Sequence, residues 1–599
     1  MSREGIVRSA LRLATFFVGT FTLATASRAS EPGERCRSCH PIQVDGYRAT
    51  GMARALGPLM PGELDDVLPA LERSGEFAYR FESGGSSARI VESLVRQERG
   101  QEVRRDTDSS PILFAVGAGI LDRSFVVRRG ELMRFGPLEI VPDPAKSKPR
   151  AQISPGHAIQ PGARWTVAIA EECLRCHTTN LPPRDYPYDL APPADWQPSG
   201  IDCETCHARS SQHADWQSAR AAGTSATTTD PITSSANARR TGFEACARCH
   251  LQGDALLSIA APLRGIPGPE ADLFTQRAVF VAAEPGSEIG FVSHVERLVL
   301  SACFLATRER EIGALLCTTC HDPHRSSTDA IEREHVRNAC SKCHASGDVD
   351  GGASNACSLP TKDRADRSCV DCHMRRTGVF DVAGVEIHDH RIERRAPPPS
   401  PRAPLRIKGA RDGSIARFSS SGETSTNREV DPGLWLMAFL DIGRRDLAWS
   451  LAAREPGAVA AALPSFHHLR AGLREEHQDF VGAEADLRRA LTLDPGQSES
   501  SVNLGALLLG RKREREAVDV LTRVLERHPR SDGALRNRGV AYLSVGQFTK
   551  ALSDLEAAQR INPLAPIARL LSQIYDRQNQ PELARRWSET ARTLEPGAR

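Results

Sequence analysis

The stretch CTTCHDPH, residues 317–324, places two cysteines three positions apart, a histidine directly behind them and a second histidine three residues further on. Taken alone it fits half a zinc site, a thiol redox pair or a haem attachment site. The rest of the chain decides between them, because the pattern Cys-x-x-Cys-His occurs seven times. The copies are CRSCH (Cys36, Cys39, His40), CLRCH (Cys173, Cys176, His177), CETCH (Cys203, Cys206, His207), CARCH (Cys246, Cys249, His250), CTTCH (Cys317, Cys320, His321), CSKCH (Cys340, Cys343, His344) and CVDCH (Cys369, Cys372, His373). They use fourteen of the 16 cysteines, all before residue 375, and a histidine follows every pair although the chain holds only 18. Zinc and dithiol chemistry need no such histidine, and an odd number of pairs fits four-ligand zinc knuckles poorly. Covalent haem does need it: the two thiols add to the vinyl groups of one porphyrin edge, and the adjacent imidazole becomes the proximal iron ligand. The expected cofactor is haem c, seven copies covalently attached.

A chain of 599 residues has room for two or more cores. Its formal net charge of +2, from 77 basic and 75 acidic residues, provides no field for nucleic acid or an anionic membrane. Arg3, Arg8 and Arg12 precede the apolar run LATFFVGTFTLATA (13–26), and small residues surround Ala24, Ala26 and Ala29. That layout is a secretory signal peptide over residues 1–29, too short and too weakly apolar for a membrane span. The expected location is periplasmic or otherwise exported, and an uncleaved N-terminus is the one route to membrane association. Aromatic residues make up only 5% of the chain, so the porphyrins are expected to supply much of the apolar core and the apoprotein to be largely unfolded.

Seven more histidines precede residue 400: His157, His213, His294, His324, His335, His388 and His390. Two imidazoles on one iron suit an electron carrier, whereas an open position permits chemistry. His157, His213, His294, His324, His335 and His390 are therefore candidate distal ligands. His388 and His390 lie two apart in HDH, so an extended backbone points both the same way and one can fall short of a second iron. His388 is the weaker candidate; Met52 in YRATGMARA is the alternative donor, and failing both that iron is five-coordinate. His324 is too close to His321 to be given the opposite face of the same ring, and is expected to serve a neighbouring haem. Cys303 and Cys357 either pair with each other or stay as buried thiols.

Between the first two motifs, FAYRFESGGSSARIVESLVR (77–96) reads as a hairpin around Gly84 and Gly85, and ILFAVGAGILDRSFVVRRGELMRFGPLEIV (112–141) as further strands. A small β subdomain over about 77–142 is expected. RRAPPPSPRAP (394–404) opens a Pro/Ser-rich linker, 396–431. Beyond it four columns repeat every 34 residues: Pro495, Pro529 and Pro563; Ala471, Gly505 and Gly539; Ala483, Ala517 and Ala551; Leu487, Leu521 and Leu555. Small residues where two helices cross, with proline ending the second helix, identify tetratricopeptide repeats over 432–599. Residues 435–456 are a degenerate first helix pair and 564–596 a shortened last repeat. His467, His468, His477 and His528 are expected to face solvent, and the concave side to receive a protein or peptide.

The segments SPGHAIQPG (154–162), GIDCETCHARSSQH (200–213), CARCHLQ (246–252), SACF (301–304), CTTCHDPH, CVDCHM (369–374) and IHDHRI (387–392) resemble, in order, the multihaem cytochromes c related to the tetrahaem electron carrier of ammonia oxidation, in the form fused to tetratricopeptide repeats. The resemblance implies a periplasmic electron-transfer protein with distal ligands at His213, His324 and His390. His388 stands where that family more often has a small polar residue. The lysine-containing attachment motif of pentahaem nitrite reductases is absent.

The expected fold is mostly α: a haem-packed multihaem cytochrome c domain (30–395) with a small β subdomain, then an α-solenoid of tetratricopeptide repeats. The expected function is electron transfer between redox partners, with the solenoid docking a partner protein. An oxidoreductase acting on a small nitrogen or sulfur species at one five-coordinate haem, and a redox-linked scaffold, are the alternatives.

Overall fold

The computed structural model describes residues 33–595, apart from 61, 66, 68–69, 85–86, 143–147, 161, 170, 182–189, 194–195, 208, 225–228, 231–237, 261–271, 285, 287, 311–313, 329, 345–367, 383–384, 395–411 and 420. The signal-peptide reading, the start of the linker and Cys357 lie outside them. Among the described residues no helix is long and apolar enough to cross a membrane.

The β region is larger than the sequence predicts. An eight-stranded sheet contains β1 (Leu56–Gly57), β2 (Leu71–Ser74), β3 (Phe77–Gly84), β4 (Ser87–Glu98), β5 (Gln101–Val116), β6 (Arg123–Arg129), β7 (Leu132–Val141) and β8 (Arg150–Ile153). From β2 to β8 each strand pairs antiparallel with the next, and β1 pairs with β5. β8 lies beside β2, which curls the sheet towards a barrel. The small subdomain expected at 77–142 is thus a barrel-like sheet spanning 56–153. Its extra strands are short and carry polar residues such as LERS and RAQI, so they show no alternation and depend on pairing with longer neighbours. Alternate residues of β6 serve opposite faces: Phe125 and Val127 join Phe81, Ile90 and Leu138, while Val126 joins Phe114, Met133 and Leu174 on the other side. Both faces are covered.

Downstream, short helices carry the attachment motifs, and β9 (Ala255–Ser258), β10 (Arg277–Ala282), β13 (Ile415–Phe418) and β14 (Thr424–Ser425) form a second sheet in the order β14-β13-β10-β9. A hairpin, β11 (Met374–Gly378) with β12 (Glu386–Ile392), follows the seventh motif. β13 and β14 fall within the expected linker. Four residues, IARF, are too few to stand out among Ser and Gly, yet Ile415 and Ala416 are buried against β10 and its neighbours.

The C-terminal region is a stack of helix pairs: Pro464–Glu476 with Phe480–Leu493, Ser498–Gly510 with Glu514–Arg527, Asp532–Ser544 with Phe548–Ile561, and Ala565–Arg577 with Pro581–Leu594. Pro432–Asp441 and Arg445–Leu451 precede them as the degenerate pair. The repeat columns have a direct physical meaning. A Cβ on Gly505 would stand 2.7 Å from the Leu521 side chain, and one on Gly539 2.8 Å from Leu555. Glycine costs a helix about 1 kcal/mol relative to alanine; here it is kept because the paired leucine occupies the space. His467 corrects the solvent-facing expectation: it is buried, with ring nitrogens near Asp486 and the Ala461 carbonyl.

The barrel also buries an acid. Glu139 is fully buried, with Gln152 and Ser124 donating to its carboxylate, and burial pushes its pKa up to about 7. A carboxyl whose folded pKa lies above its unfolded value stabilises the fold below the unfolded pKa, and the contribution fades as pH rises to the folded one. The unfolding free energy from urea titrations should therefore fall between about pH 4.5 and 7, by roughly 3 kcal/mol at most, and Glu139→Gln should flatten that slope.

Candidate functional site

The attachment motifs sit at helix ends and in tight turns, which present both thiols and the following imidazole together. The helix Ala238–His250 ends in the fourth motif, Ala330–His344 in the sixth, and Cys369–His373 is the seventh. Among the described residues thiols of different motifs come within hydrogen-bond reach: Cys36 with Cys203, Cys176 with Cys249, Cys246 with Cys317, and Cys340 with Cys369. The hydrogen bond to the neighbouring thiol, followed by burial, raises the pKa of Cys246 and Cys249, and burial raises that of Cys203. Cys206 lies near Cys246, and the helix Cys317–Cys320 packs against Ala330–His344. The sites thus form a spatial series, first–third–fourth–fifth–sixth–seventh, with the second beside the fourth.

Imidazoles from distant segments meet across this series. Two rings on opposite sides of one metal, each nitrogen about 2 Å from it, hold their centroids roughly 6 Å apart. His207 and His324 stand at 6.0 Å with planes 12° apart, His321 and His390 at 6.2 Å, and His40 and His213 at 6.4 Å. Each pair joins a motif histidine to a histidine from another segment. His250 and His294 are closer, at 5.0 Å and edge-on, and His294 also abuts His390 at 4.5 Å. Burial depresses the pKa of His207 and His250, carries His294 well below the usual range, and lowers His390 to about 4.

The other ring nitrogen is often already engaged. Nδ1 of His177 lies 3.2 Å from the Ala55 carbonyl, that of His373 2.9 Å from the Glu393 carbonyl, and that of His390 3.1 Å from the His388 carbonyl. His213 uses Asp230 at 2.7 Å, His321 uses Glu332 at 3.4 Å, and His324 uses Asp322 at 3.3 Å. Holding Nδ1 orients the ring and leaves Nε2 for a metal, the usual outer arrangement around a ligating imidazole. These residues fit haem iron. Asp230, Glu332 and Asp322 were not singled out from sequence; only Asp322, inside CTTCHDPH, carries a local signal.

The remaining candidates are placed differently. His157 is buried with both nitrogens committed, Nδ1 to Ser154 Oγ at 2.8 Å and Nε2 to the Arg164 carbonyl at 2.5 Å, and burial lowers its pKa to about 4. His335 stands on the same helix as His344, nine residues earlier, about 13 Å along the axis, so the two cannot bind one iron. His388 lies opposite Arg376 in the hairpin, half-buried, on the side of the seventh motif. The Met52 carbonyl accepts from Ile201 N at 3.0 Å, which sets Met52 beside the approach to the third motif. The Cys303 thiol is near Cys343; its pairing with Cys357 lies outside the described residues.

Two family models match: "Cytochrome c554 and c-prime" over residues 145–208 and "Doubled CXXCH motif" over 311–349. No curated protein matches the chain. Similar solved structures include MamA 41-end from Desulfovibrio magneticus RS-1, at 20% identity over 27% of this chain and 91% of that one, TM-score 0.24. YrrB, described as a TPR protein with an unusual peptide-binding site, is similar at 15% identity over 27% and 84%, TM-score 0.24. The motifs and the two family matches indicate covalently bound haem c in a multihaem c-type cytochrome region.

One buried ion pair holds two of the imidazoles. Arg297 Nε and Nη2 donate to Asp389 at 2.9 and 2.6 Å, joining the helix His294–Leu298 to β12. Ser301 adds a second tie, donating to the His390 carbonyl and accepting from Ile392 N. Asp389→Ala leaves the Arg297 cation buried without its carboxylate, and should cost about 3–5 kcal/mol in thermal or urea unfolding.

Proposed function

We propose that this is an exported multihaem c-type cytochrome that passes electrons between redox partners through seven covalently attached haems, with the repeat domain docking a partner protein. The near-parallel His207 and His324 rings, 6.0 Å apart, carry this reading, because sequence alone puts them in different motifs. On this proposal His213 serves the first haem, His324 the third, His294 the fourth and His390 the fifth. Low-spin iron with two imidazoles changes redox state with little rearrangement, and a continuous series of such sites is what a relay needs. The kinship with the carrier of ammonia oxidation and the periplasmic location belong to the same proposal; the signal-like N-terminus and the segments from SPGHAIQPG to IHDHRI support them.

A second reading has its own observation. Both ring nitrogens of His157, in the segment nearest the second motif, are held by protein. His157 is then a packing residue, and the haem on His177 is the position for chemistry on a small nitrogen or sulfur species.

Haem quantitation on purified protein should give seven per chain. In electron paramagnetic resonance, His324→Ala and His390→Ala should each convert one low-spin signal to high spin, whereas His157→Ala should leave the low-spin count unchanged. Unaltered spectra in the first two variants would sink the ligand assignment. High-spin iron in the wild type favours the second reading.

A further inference from the structure

The repeat domain touches the cytochrome region at both of its ends. At the first, Trp435 of the helix Pro432–Asp441 sits edge-on to Phe280 of β10, with centroids 5.0 Å apart, and Leu256 N donates to Asp441. Residues Pro432 to Phe439 of this apolar helix are buried, and Leu434 to Phe439 share one cluster with side chains of β9, β10 and β13. At the far end the turn between β6 and β7 meets the turns that close the later repeats. Gly130 has φ +60° and passes so close that a Cβ would lie 2.6 Å from Pro563. Glu131 N donates to the Ile561 carbonyl at 2.8 Å, and its carboxylate takes Arg530 at 2.8 Å and Arg560 at 3.5 Å. Leu132 enters the solenoid's own apolar cluster beside Leu535 and Ile561. Arg164 adds a tie, Nη1 reaching the Leu594 carbonyl at 2.6 Å while Nε holds buried Glu92 at 2.9 Å.

β7 leaves this turn with its side chains alternating. Leu132 faces the solenoid; the next residue, Met133, is fully buried with Leu174 and packs beside Cys173 of the second attachment motif. We infer that the repeat domain is an intramolecular clamp: the turns between its later repeats bind the chain's own β6–β7 tip, and that seating fixes the wall against which the second haem site is packed. The inference stands apart from the proposed redox role and from the partner docked elsewhere on the solenoid. It assigns the inter-repeat turns at Arg530 and at Ile561–Pro563 to an internal ligand, the hairpin tip that presents Glu131, and withdraws them from any outside partner.

The test uses the full-length haem-loaded protein. Glu131→Arg places a cation against Arg530 and Arg560 and should raise amide exchange over residues 128–134 and 558–564 about tenfold, as a local opening would. Far-UV helicity should be unchanged, and only the spectral signal lost in His177→Ala should shift. The charge swap Glu131→Arg with Arg530→Glu should restore slow exchange. If Glu131→Arg does not accumulate, Arg530→Gln makes the same measurement with a milder change. Unchanged exchange in these variants overturns the clamp; faster exchange with no change at the second haem overturns its link to that site.

Discussion

An iron held between two imidazoles needs one ring on each face of a flat macrocycle, and a short loop cannot place both. The partner ring must come from elsewhere in the chain. On the proposed ligation the requirement is met by His213 on a helix that begins at Ser210 for His40, by His324 in the loop after the fifth motif for His207, and by His390 on β12 for His321. Every such pairing is a long-range tie in a region with short helices and few aromatic side chains. Under the proposed ligation, the cofactors and their second ligands take the place that a continuous apolar core occupies in most domains.

That arrangement explains which supporting groups are buried. Arg297 and Asp389 are costly to desolvate, and a buried ion pair often adds little net stability over apolar residues of the same size. Their value here is positional, since Asp389 lies between His388 and His390 and Arg297 lies three residues from His294. Carboxylates on Nδ1 of His213, His321 and His324 act likewise, fixing a tautomer and a ring direction.

Much of this was legible in the sequence because it rests on local pattern. The repeated Cys-x-x-Cys-His motif pointed to covalent haem c, and a 34-residue period with glycine opposite leucine specifies the solenoid. The family-like position of His324 also anticipated a ring that reaches another motif. What escaped was structure made by pairing across distance: β1 is only two residues, β2 and β8 are too short and polar to show alternation, and β13 hides in a linker-like composition. The hydrogen-bond partners of His157 were out of reach for a different reason. A count of spare histidines cannot tell an imidazole offered to iron from one whose two nitrogens are already bonded to Ser154 and Arg164.

A solenoid attached at one end can gain or lose repeats with little consequence, since each unit needs only its neighbours. This one is attached at two. Trp435 is seated on one sheet and Ile561–Pro563 on the hairpin of another, so the number of helix pairs between them is a measured span. Inserting or deleting a single 34-residue unit would displace one anchor by a whole repeat. Duplication within this stretch, ordinarily the easiest way for such arrays to diversify, is closed to it by geometry.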